Sequence, residues 1–408
     1  MTRVLIYAQV PPPLHGQSVM VQLLVDGLRD TGQAELTQAA GGGSGAAIGY
    51  VHVNPQLSHD LGDIGRWRPG KILSVFKFVY AAIRARFRYD LDTFYFVPAP
   101  PKREALYRDW VVLLLCRLFF RKVVLHWHCI GQRDFFAKLN AVERWLGHLC
   151  YRGATVSVPL SKYSEVEAAM FLPLRSAVVP NGVPDPCPQF DKEVWPHRLK
   201  RAEARATWNG WAVDGPRLAY EVLFVAGRMT PKGLFDAIEA VRKANLELER
   251  SGVSWRMRLT VAGKFEDDAE RTQFEKAAQG LDSTRQEGAT EPLCVYAGWA
   301  DEAKKRELYR AADCFIFPTT YPSESFGLVL AEAMAHGCAV ITTRWQAVPE
   351  VLPPGDINVL DPHDVEGMAA ALLRCAKAPA TRELRDYFLA HFTSQRFVRD
   401  MVRVLSEV

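Results

Sequence analysis

The sequence has no C-x-x-C pair among its eight cysteines, and it has no apolar run long enough to cross a membrane. Cysteines dispersed in this way predict neither a zinc site nor a disulfide framework, and they favour a reducing compartment. The longest apolar run, WVVLLLC at 110–116, falls well short of the roughly 20 residues that a membrane helix needs. The N-terminus, MTRVLIYAQVPPP, lacks the core of a signal peptide. We therefore predict a cytoplasmic protein, either soluble or peripheral at the inner face of the membrane.

Two further absences argue against particular classes of function. No G-x-G-x-x-G follows a strand-like run, which argues against a dinucleotide-dependent oxidoreductase. The net charge of +4 is too mild to predict nucleic-acid binding. Acidic residues are missing from RWRPGKILSVFKFVYAAIRARFR at 66–88, which holds seven Lys/Arg and five aromatic residues. Its apolar residues at 72, 75, 76, 79, 80, 83 and 87 predict a helix, either lying on an anionic membrane or packed on a sheet with a solvated basic edge.

Strand-like runs alternate with helical patterns along the 408 residues, 49% of which are hydrophobic. In the first half we predict strands at 3–8, 94–99, 122–128, 155–160 and 176–181. This alternation predicts parallel sheets covered on both faces, and the length predicts two domains. We expect two doubly wound Rossmann-like α/β domains facing a central cleft, over 1–186 and 187–384. A linker with an exposed lead-in helix is predicted over 184–216, and a last helix over 381–405, whose part from about residue 385 onward packs back on the first domain. Motifs directly after strands are then the candidates for a site.

The first such motif is AGRMTPKG at 226–233, after the strand-like run YEVLFV. Gly227 permits a sharp exit from the strand, and Arg228 and Lys232 place two cations beside the start of a helix. Such an arrangement predicts a diphosphate site, because arginine grips phosphate oxygens in pairs and lysine supplies a mobile point charge. The alternative is two solvated surface cations.

The second motif is PSESFGLVLAEAMAHGCAVITT at 322–343. Ser323 or Ser325 is the expected N-cap of a helix, and Gly337 its expected stop. The free backbone amides of the first turn would be those of Phe326, Gly327 and Leu328. Glu324 and Glu332 lie eight positions apart, roughly 12 Å along a helix, which suits a nucleoside diphosphate sugar lying along it. The alternative is an acidic residue that only balances the helix dipole.

Histidines mark two predicted loops. In LHWHCIG at 125–131, His126 and His128 should point to one side and Trp127 to the other, because side chains alternate along a strand. A histidine there can donate to a sugar hydroxyl or a diphosphate, or transfer a proton. No third ligand lies at a suitable spacing, so these histidines do not predict a metal site. His15 and Gly16 lie in the first strand-to-helix loop, and a purely structural role is the alternative for each histidine.

The strings GRMTPKG and ESFGLVLAEAMAHG, in this order, resemble the retaining GT-B glycosyltransferases of family 4, the glycosyltransferase group 1. VVPNGV at 178–183, Ser161 and the stretch 298–319 are similar to the same family. The resemblance implies transfer of a sugar, with retention and without a metal or other cofactor, from a UDP-, GDP- or ADP-sugar. It implies a glycan or lipid-linked acceptor, in cell-surface polysaccharide or lipopolysaccharide synthesis.

The resemblance also implies roles for individual residues. Arg228 and Lys232 would neutralise the leaving diphosphate, Glu324 would contact the hydroxyls of the donor sugar, and Glu332 would hold those of the ribose. With His128, which matches a cleft histidine of the family, Arg228, Lys232 and Glu324 are the catalytic candidates. Further donor contacts, several through the backbone, are expected at Gly16, Gly227, Gly263, Gly298, Ser325, Phe326, Gly327 and Leu328.

Two alternative functions remain open at this point. One is a catalytically silent subunit that binds a nucleotide sugar, and the other is a different GT-B enzyme such as a sugar-nucleotide epimerase. The presence of all four charged residues of the two motifs argues against the silent subunit. The roles of His15 and His126 are open, as are the base, the sugar and the acceptor.

Overall fold

A computed structural model describes residues 1–37, 46–56, 69–207, 219–253, 255–285 and 290–408, with side chains left out at 69–72. The chain forms two compact units. The N-terminal unit comprises Met1–Pro184 and Phe392–Val408, and the C-terminal unit comprises Asp185–His391. The chain therefore passes from one unit to the other twice.

The N-terminal unit is built on a parallel sheet of seven strands. Its strands are β1 (Thr2–Tyr7), β2 (Ala34–Glu35), β3 (Ile48–Val53), β4 (Thr93–Phe96), β5 (Lys122–Trp127), β6 (Val156–Pro159) and β7 (Arg175–Ser176), in the order β2-β3-β1-β4-β5-β6-β7. The four expected strands around 3–8, 94–99, 122–128 and 155–160 are confirmed. The sequence analysis missed β2 and β3, and the run 176–181 contributes only the short β7.

Helices cover this sheet and bury its aromatic core. They are α1 (Gly16–Asp30), α2 (Pro69–Arg88), α3 (Arg103–Cys116), α4 (Gln132–Ala137), α5 (Ala141–Tyr151) and α6 (Lys162–Ala168). Trp127 of β5 stacks on Phe171, with ring centres 5.2 Å apart, and both side chains are buried. Burying a large apolar side chain stabilises a fold by about 1.5–3 kcal/mol, so contacts of this kind hold the helices on the sheet.

The apolar residues of α2 do not form a single stripe facing one way. Val75 and Val79 are buried in the core. By contrast, 48% of Phe76, 67% of Tyr80 and 66% of Phe87 are exposed. The expected helix is therefore confirmed, and its apolar residues divide between a part that packs against the unit and a part that faces outward. No helix within the described ranges is long and apolar enough to cross a bilayer.

The C-terminal unit contains a parallel sheet of six strands. They are β8 (Ala219–Ala226), β9 (Arg256–Gly263), β10 (Cys294–Gly298), β11 (Cys314–Phe317), β12 (Ala339–Thr343) and β13 (Val359–Leu360), in the order β10-β9-β8-β11-β12-β13. The chain runs outward from β8 in one direction and returns to continue from β11 in the other. Ligands of doubly wound sheets bind at this switch point, which here lies between β8 and β11.

Helices of the C-terminal unit are α7 (Phe190–Glu193), α8 (Trp195–Thr207), α9 (Leu234–Arg250), α10 (Asp268–Asp282), α11 (Glu302–Ala311), α12 (Leu328–Ala335), α13 (Val365–Lys377) and α14 (Glu383–His391). Helix α8 is not the exposed lead-in helix that the composition of 184–216 predicts. Its Arg198 and Arg205 are buried, and Arg198 donates to the backbone oxygens of Asp313 and His336 at 3.2 and 2.9 Å. These bonds attach α8 to the C-terminal unit.

The single helix expected over 381–405 is two helices, α14 and α15 (Ser394–Ser406). Thr393 caps α15, because its hydroxyl accepts from the amide of Arg396 at 3.3 Å. Helix α15 belongs to the N-terminal unit, where Val398 packs on Gly27 of α1 so closely that a Cβ there would lie 2.2 Å from a Val398 methyl group. Of these two helices, α15 packs back on the N-terminal unit and α14 stays in the C-terminal unit.

Candidate functional site

The two charged motifs meet at the switch point of the C-terminal sheet. AGRMTPKG follows β8 and the segment leading to α12 follows β11. The amide of Thr320 donates to the oxygen of Pro231 at 3.1 Å, which ties the two loops together. Gly233 has φ +87°, and a Cβ there would lie 2.2 Å from the oxygen of Pro318. Only glycine allows this close approach, so the loops are built to lie against each other.

Lys232 and Glu324 form an ion pair at this point. The side chain of Lys232 is 16% exposed and that of Glu324 9% exposed. The hydroxyl of Thr319 lies 3.5 Å from the same carboxylate oxygen. The ammonium group also lies 4.5 Å from the ring centre of Tyr321, a distance typical of a cation–π contact. One cation and one anion predicted for the site are therefore adjacent and largely shielded from water.

Arg228 lies at the same edge but is more exposed, at 56% of its side chain. Its Nε donates to Glu266 at 2.6 Å, and this bond raises the pKa of the arginine. The guanidinium carbon lies 6.0 Å from the ring centre of Tyr321, so this ring is close to both cations. Neither Tyr321 nor Glu266 was among the residues predicted for the site. A polar aromatic directly after a strand, in FPTTYPSE, was the signal for Tyr321.

Glu270 anchors the loop that carries the two cations. It is 8% exposed, and one oxygen accepts from the amide of Thr230 at 3.0 Å. Its other oxygen accepts from the amide of Glu266 at 2.6 Å. One buried carboxylate thus joins the loop after β8 to the loop after β9. The sequence offered only a weak signal, an acidic residue in the first turn of α10.

Helix α12 begins later than the sequence predicts. Its first residue is Leu328, and Gly327 precedes it in the left-handed region at φ +77°. An N-cap at Ser323 or Ser325 is therefore wrong, and only half of the eight steps from Glu324 to Glu332 are helical. The estimate of roughly 12 Å along a helix does not apply to this segment. The expected stop is confirmed, because the helix ends at Ala335 and Gly337 has φ +68°.

The other predicted positions near α12 differ in exposure. Phe326 is 3% exposed, so its side chain belongs to the core. Ser325 and Leu328 are half-buried. The side chain of Glu332 is 17% exposed and pairs with Lys305 at 2.9 Å. Burial raises the pKa of Glu332, and Lys305 opposes part of this rise.

Three predicted glycines lie at ends of neighbouring strands. Gly227 follows β8, Gly263 ends β9 and Gly298 ends β10 with φ +74°. A Cβ at Gly263 would lie 2.3 Å from the oxygen of Ala226, so packing alone requires glycine there. The carbonyl of Gly263 accepts from the hydroxyl of Tyr296 at 2.8 Å. The backbone oxygen of Gly263, one of the positions expected to contact the nucleotide sugar, therefore already has one hydrogen-bond donor.

In the N-terminal unit, His126 near the end of β5 and His128 directly after this strand lie side by side. Their ring centres are 4.1 Å apart, and Trp127 packs on the opposite side against Phe171, as the strand alternation predicted. Nδ1 of His126 lies 2.5 Å from the hydroxyl of Tyr95. Burial lowers the pKa of His126 far below its usual value and, with a smaller effect of His15, lowers the pKa of His128 to about 3. Both imidazoles are therefore neutral at pH 7.

His15 has a structural role that the sequence left open. It is the N-cap of α1, where Nδ1 accepts from the amide of Ser18 at 3.3 Å. The hydroxyl of Ser18 accepts in turn from the amide of His15 at 3.1 Å, which completes a capping box. Gly16 is the first residue of α1 and is exposed. Within the described ranges, no three His, Cys, Asp or Glu side chains are grouped so that they could hold a metal ion.

Comparison with known proteins finds similarity to glycosyltransferases in part of the C-terminal unit. Residues 220–378 match the family model of the Glycosyl transferases group 1. Over 79 residues the chain is 44% identical to the phosphatidyl-myo-inositol mannosyltransferase of Mycolicibacterium smegmatis, covering 19% of this chain and 20% of that protein. Over 98 residues it is 35% identical to the O-antigen chain mannosyltransferase B of Escherichia coli, covering 24% and 25% of the two chains. The match thus spans about a fifth to a quarter of these curated relatives.

The fold extends the similarity to the whole chain. The structure of Anabaena HepE in complex with UDP superposes with a TM-score of 0.63 and 15% identity, covering all of both chains. At this identity the likeness concerns the fold alone. It agrees with the two parallel sheets described above, so the expectation of two Rossmann-like units in a GT-B fold is confirmed.

Proposed function

Because residues 220–378 belong to the group 1 glycosyltransferases and the whole chain has the GT-B fold, we propose that this protein is a retaining glycosyltransferase. It would move a sugar from a nucleotide diphosphate sugar to a glycan or lipid-linked acceptor, in the synthesis of cell-surface polysaccharide or lipopolysaccharide. The observation that carries the proposal is the contact of Lys232 with Glu324 at the switch point of the C-terminal sheet. Doubly wound sheets bind nucleotides at this place.

The donor would bind by an exchange of partners. In the described site Arg228 pairs with Glu266 and Lys232 with Glu324, so the charges of the four side chains cancel. A diphosphate brings about two negative charges, which the two cations can share with their carboxylates by charge-assisted hydrogen bonds. Glu324 would then accept from the hydroxyls of the sugar, and Glu332 from those of the ribose. The ring of Tyr321 limits where both cations can move.

The reaction would need electrostatic help where charge develops. The bond from the sugar to the diphosphate breaks, the acceptor hydroxyl attacks from the same face, and its proton passes to the leaving diphosphate. Lys232 and Arg228 would stabilise the negative charge on that leaving group. His128 is neutral at pH 7 and would act as a hydrogen-bond partner of the sugar or of the diphosphate. No metal is needed for these roles, since the two cations supply the positive charge.

A panel of UDP-, GDP- and ADP-sugars tests the proposal. We include mannose among the sugars because two relatives are named mannosyltransferases, and UDP because HepE binds it. A true donor at a hundredfold excess over its dissociation constant should stabilise the protein by about 2.7 kcal/mol, measured as a thermal shift. Transfer to an acceptor extract, or slow hydrolysis of the same donor, should accompany the shift.

Other outcomes of this panel would identify one of the two alternative functions. A thermal shift without transfer or hydrolysis with any acceptor extract would favour a silent binding subunit. Conversion of the sugar on the intact nucleotide, followed by nuclear magnetic resonance, would favour an epimerase. Absence of any shift with all three nucleotide classes would contradict the proposal.

The outward face of α2 supports a peripheral contact with an anionic membrane. It presents exposed apolar and basic side chains along one face, at Leu73, Phe76, Lys77, Tyr80, Arg84, Phe87 and Arg88. No acidic residue occurs in this helix. Such a face can insert rings at the level of the lipid headgroups while its cations attract anionic lipids. A lipid-linked acceptor would lie in the same membrane.

Charge reversal on this face should weaken lipid binding. Each basic residue near an anionic surface contributes about 1 kcal/mol, so Lys77→Glu with Arg84→Glu should reduce binding by at least about tenfold. The measurement is co-sedimentation with phosphatidylglycerol-containing vesicles at low salt, against pure phosphatidylcholine vesicles. Lys192→Glu, at an exposed position of the C-terminal unit, is the matched control. Equal sedimentation of the double variant and the wild type would refute the membrane contact.

A further inference from the structure

The carboxylate of Glu332 is held by side chains of the neighbouring helix α11. Nζ of Lys305 lies 2.9 Å from one oxygen of Glu332. The hydroxyl of Tyr309, one turn further along α11, lies 3.3 Å from the other oxygen and 3.2 Å from the carbonyl of Val329. Tyr309 is 1% exposed, so its position is fixed by packing. One oxygen of Glu332 therefore accepts from Lys305, and the other shares the single hydroxyl proton of Tyr309 with the carbonyl of Val329.

Lys305 is unusual among the lysines of this helix. Its side chain is only 17% exposed, whereas that of the adjacent Lys304 is 47% exposed and pairs with Glu307 at 3.2 Å on the surface. Lys305 has a second partner, Glu302, at 2.8 Å, which is itself 75% exposed. A lysine is seldom withdrawn from water without a buried anion, because removing its charge from water costs several kcal/mol. The position of Lys305 is thus explained by Glu332.

The pair also defines what Glu332 can still bind. An ionised carboxylate has about four acceptor positions, and Lys305 and Tyr309 occupy one on each oxygen. One acceptor position on each oxygen remains, and the 17% exposure of the side chain leaves part of it accessible. Two adjacent acceptors held in a fixed orientation match two neighbouring hydroxyl groups. A site whose side chains are already oriented loses less entropy on binding.

We infer that Lys305 is a positioning residue, which holds the carboxylate of Glu332 charged and oriented to accept from the two ribose hydroxyls of the donor nucleotide. This inference rests on the proposed function, because it takes from it the nucleotide and the role of Glu332. Lys305 itself need not touch the nucleotide. Its effect on binding passes through Glu332.

The pKa directions agree with the geometry. Burial opposes the charge on Lys305, but the carboxylates of Glu332 and Glu302 more than offset it, so the pKa of Lys305 is raised. Burial raises the pKa of Glu332, which Lys305 and Tyr309 lower in part. Other charged or titratable groups nearby are Glu302 on α11 and His336 directly after α12. Nδ1 of His336 lies 2.8 Å from the backbone oxygen of Glu332. Loss of Lys305 would therefore leave a buried acid without its main counter-charge.

The test compares a ribonucleotide with its 2′-deoxy analogue. UDP, GDP and ADP are first titrated calorimetrically against the wild type, and the one that binds is then compared with its 2′-deoxy form. Lys305→Met should weaken binding of the ribonucleotide by about tenfold. It should weaken binding of the 2′-deoxy form by much less, because that form keeps only one of the two hydroxyls that Glu332 accepts from, so the preference for the ribonucleotide should fall. In turnover, KM for the donor should rise while kcat stays within about twofold. A purely structural role would weaken both nucleotides alike.

Two variants complete the design. Lys305→Arg keeps a positively charged hydrogen-bond donor near Glu332, so it should retain most of the preference for the ribonucleotide. This variant also replaces Lys305→Met in the test if Lys305→Met does not fold. Lys304→Met removes the neighbouring exposed lysine and should change nothing. If the wild type binds a ribonucleotide and Lys305→Met keeps the full preference, the inference is overturned and the proposed function stands. If the wild type binds none of the three diphosphates, the proposed function fails and the inference fails with it.

Discussion

Replacing Lys232 by methionine should reduce sugar transfer by about a hundred- to a thousandfold, the usual cost of removing one group that stabilises charge in the transition state. Lys232 is the better shielded of the two cations, with 16% of its side chain exposed against 56% for Arg228. Electrostatic interactions are stronger where water is excluded. Methionine keeps the apolar stem near Tyr321, so the change removes mainly the charge. The measurement is kcat with the donor identified by the nucleotide-sugar panel.

Lys243→Met is the matched control, because Lys243 also pairs with a carboxylate, that of Glu366, but on the surface of α9. It should turn over like the wild type. Circular dichroism and thermal unfolding should show that both variants fold. A folded Lys232→Met variant that keeps more than about a tenth of the wild-type kcat would contradict the role given to this lysine.

The second large effect concerns stability, and its residue lies before β11. Asp313 is 6% exposed, and its oxygens accept from Arg201 at 2.8 Å, from Arg205 at 2.9 Å and from the amide of Glu221 at 3.2 Å. The side chain of Arg205 is only 6% exposed. Asp313→Ala would leave a buried guanidinium without a counter-charge, which typically costs about 3–5 kcal/mol of the free energy of unfolding.

Urea unfolding followed by circular dichroism measures this loss. Asp361→Ala is the control, because Asp361 is 79% exposed and its pair with Arg344 at 3.4 Å is on the surface. Such pairs contribute about 0–1 kcal/mol, so the control should unfold close to the wild type. An Asp313→Ala protein within about 1 kcal/mol of the wild type would show that the cluster around Asp313 does not hold α8 on its unit.

Much of the fold could be predicted from local patterns. Long apolar runs such as KVVLHW predicted β5. The same side is shared by His126 within this strand and His128 directly after it, because alternation along a strand needs no tertiary information. Strand β2 was missed, since a strand of two residues has no periodicity of its own. Strand β3 was also missed, although with six residues it is as long as β1. Helices α14 and α15 were merged, because only the cap at Thr393 interrupts a pattern that is otherwise continuous.

The candidate site was predictable in its charged residues but not in their partners. Arg228, Lys232 and Glu324 could be chosen because their spacing follows strands. Glu266 and Glu270 come from the loop after β9 and from α10, and nothing near the two motifs in sequence indicates them. Lys305 is 27 positions from Glu332, and it is one of two adjacent lysines that the sequence does not distinguish.

The sequence by itself determined the alternation of strands and helices, and with it two doubly wound units whose polar motifs follow strands. These depend on periodicity and on turn residues, which act over a few positions along the chain. Only the tertiary structure decided which charges meet: Lys232 with Glu324, Arg228 with Glu266, and Lys305 with Glu332. Each pair joins segments brought together by the order of strands in the sheet. Because the energy of an ion pair depends on distance and burial, neither of which is local in sequence, those pairs had to be found in the fold.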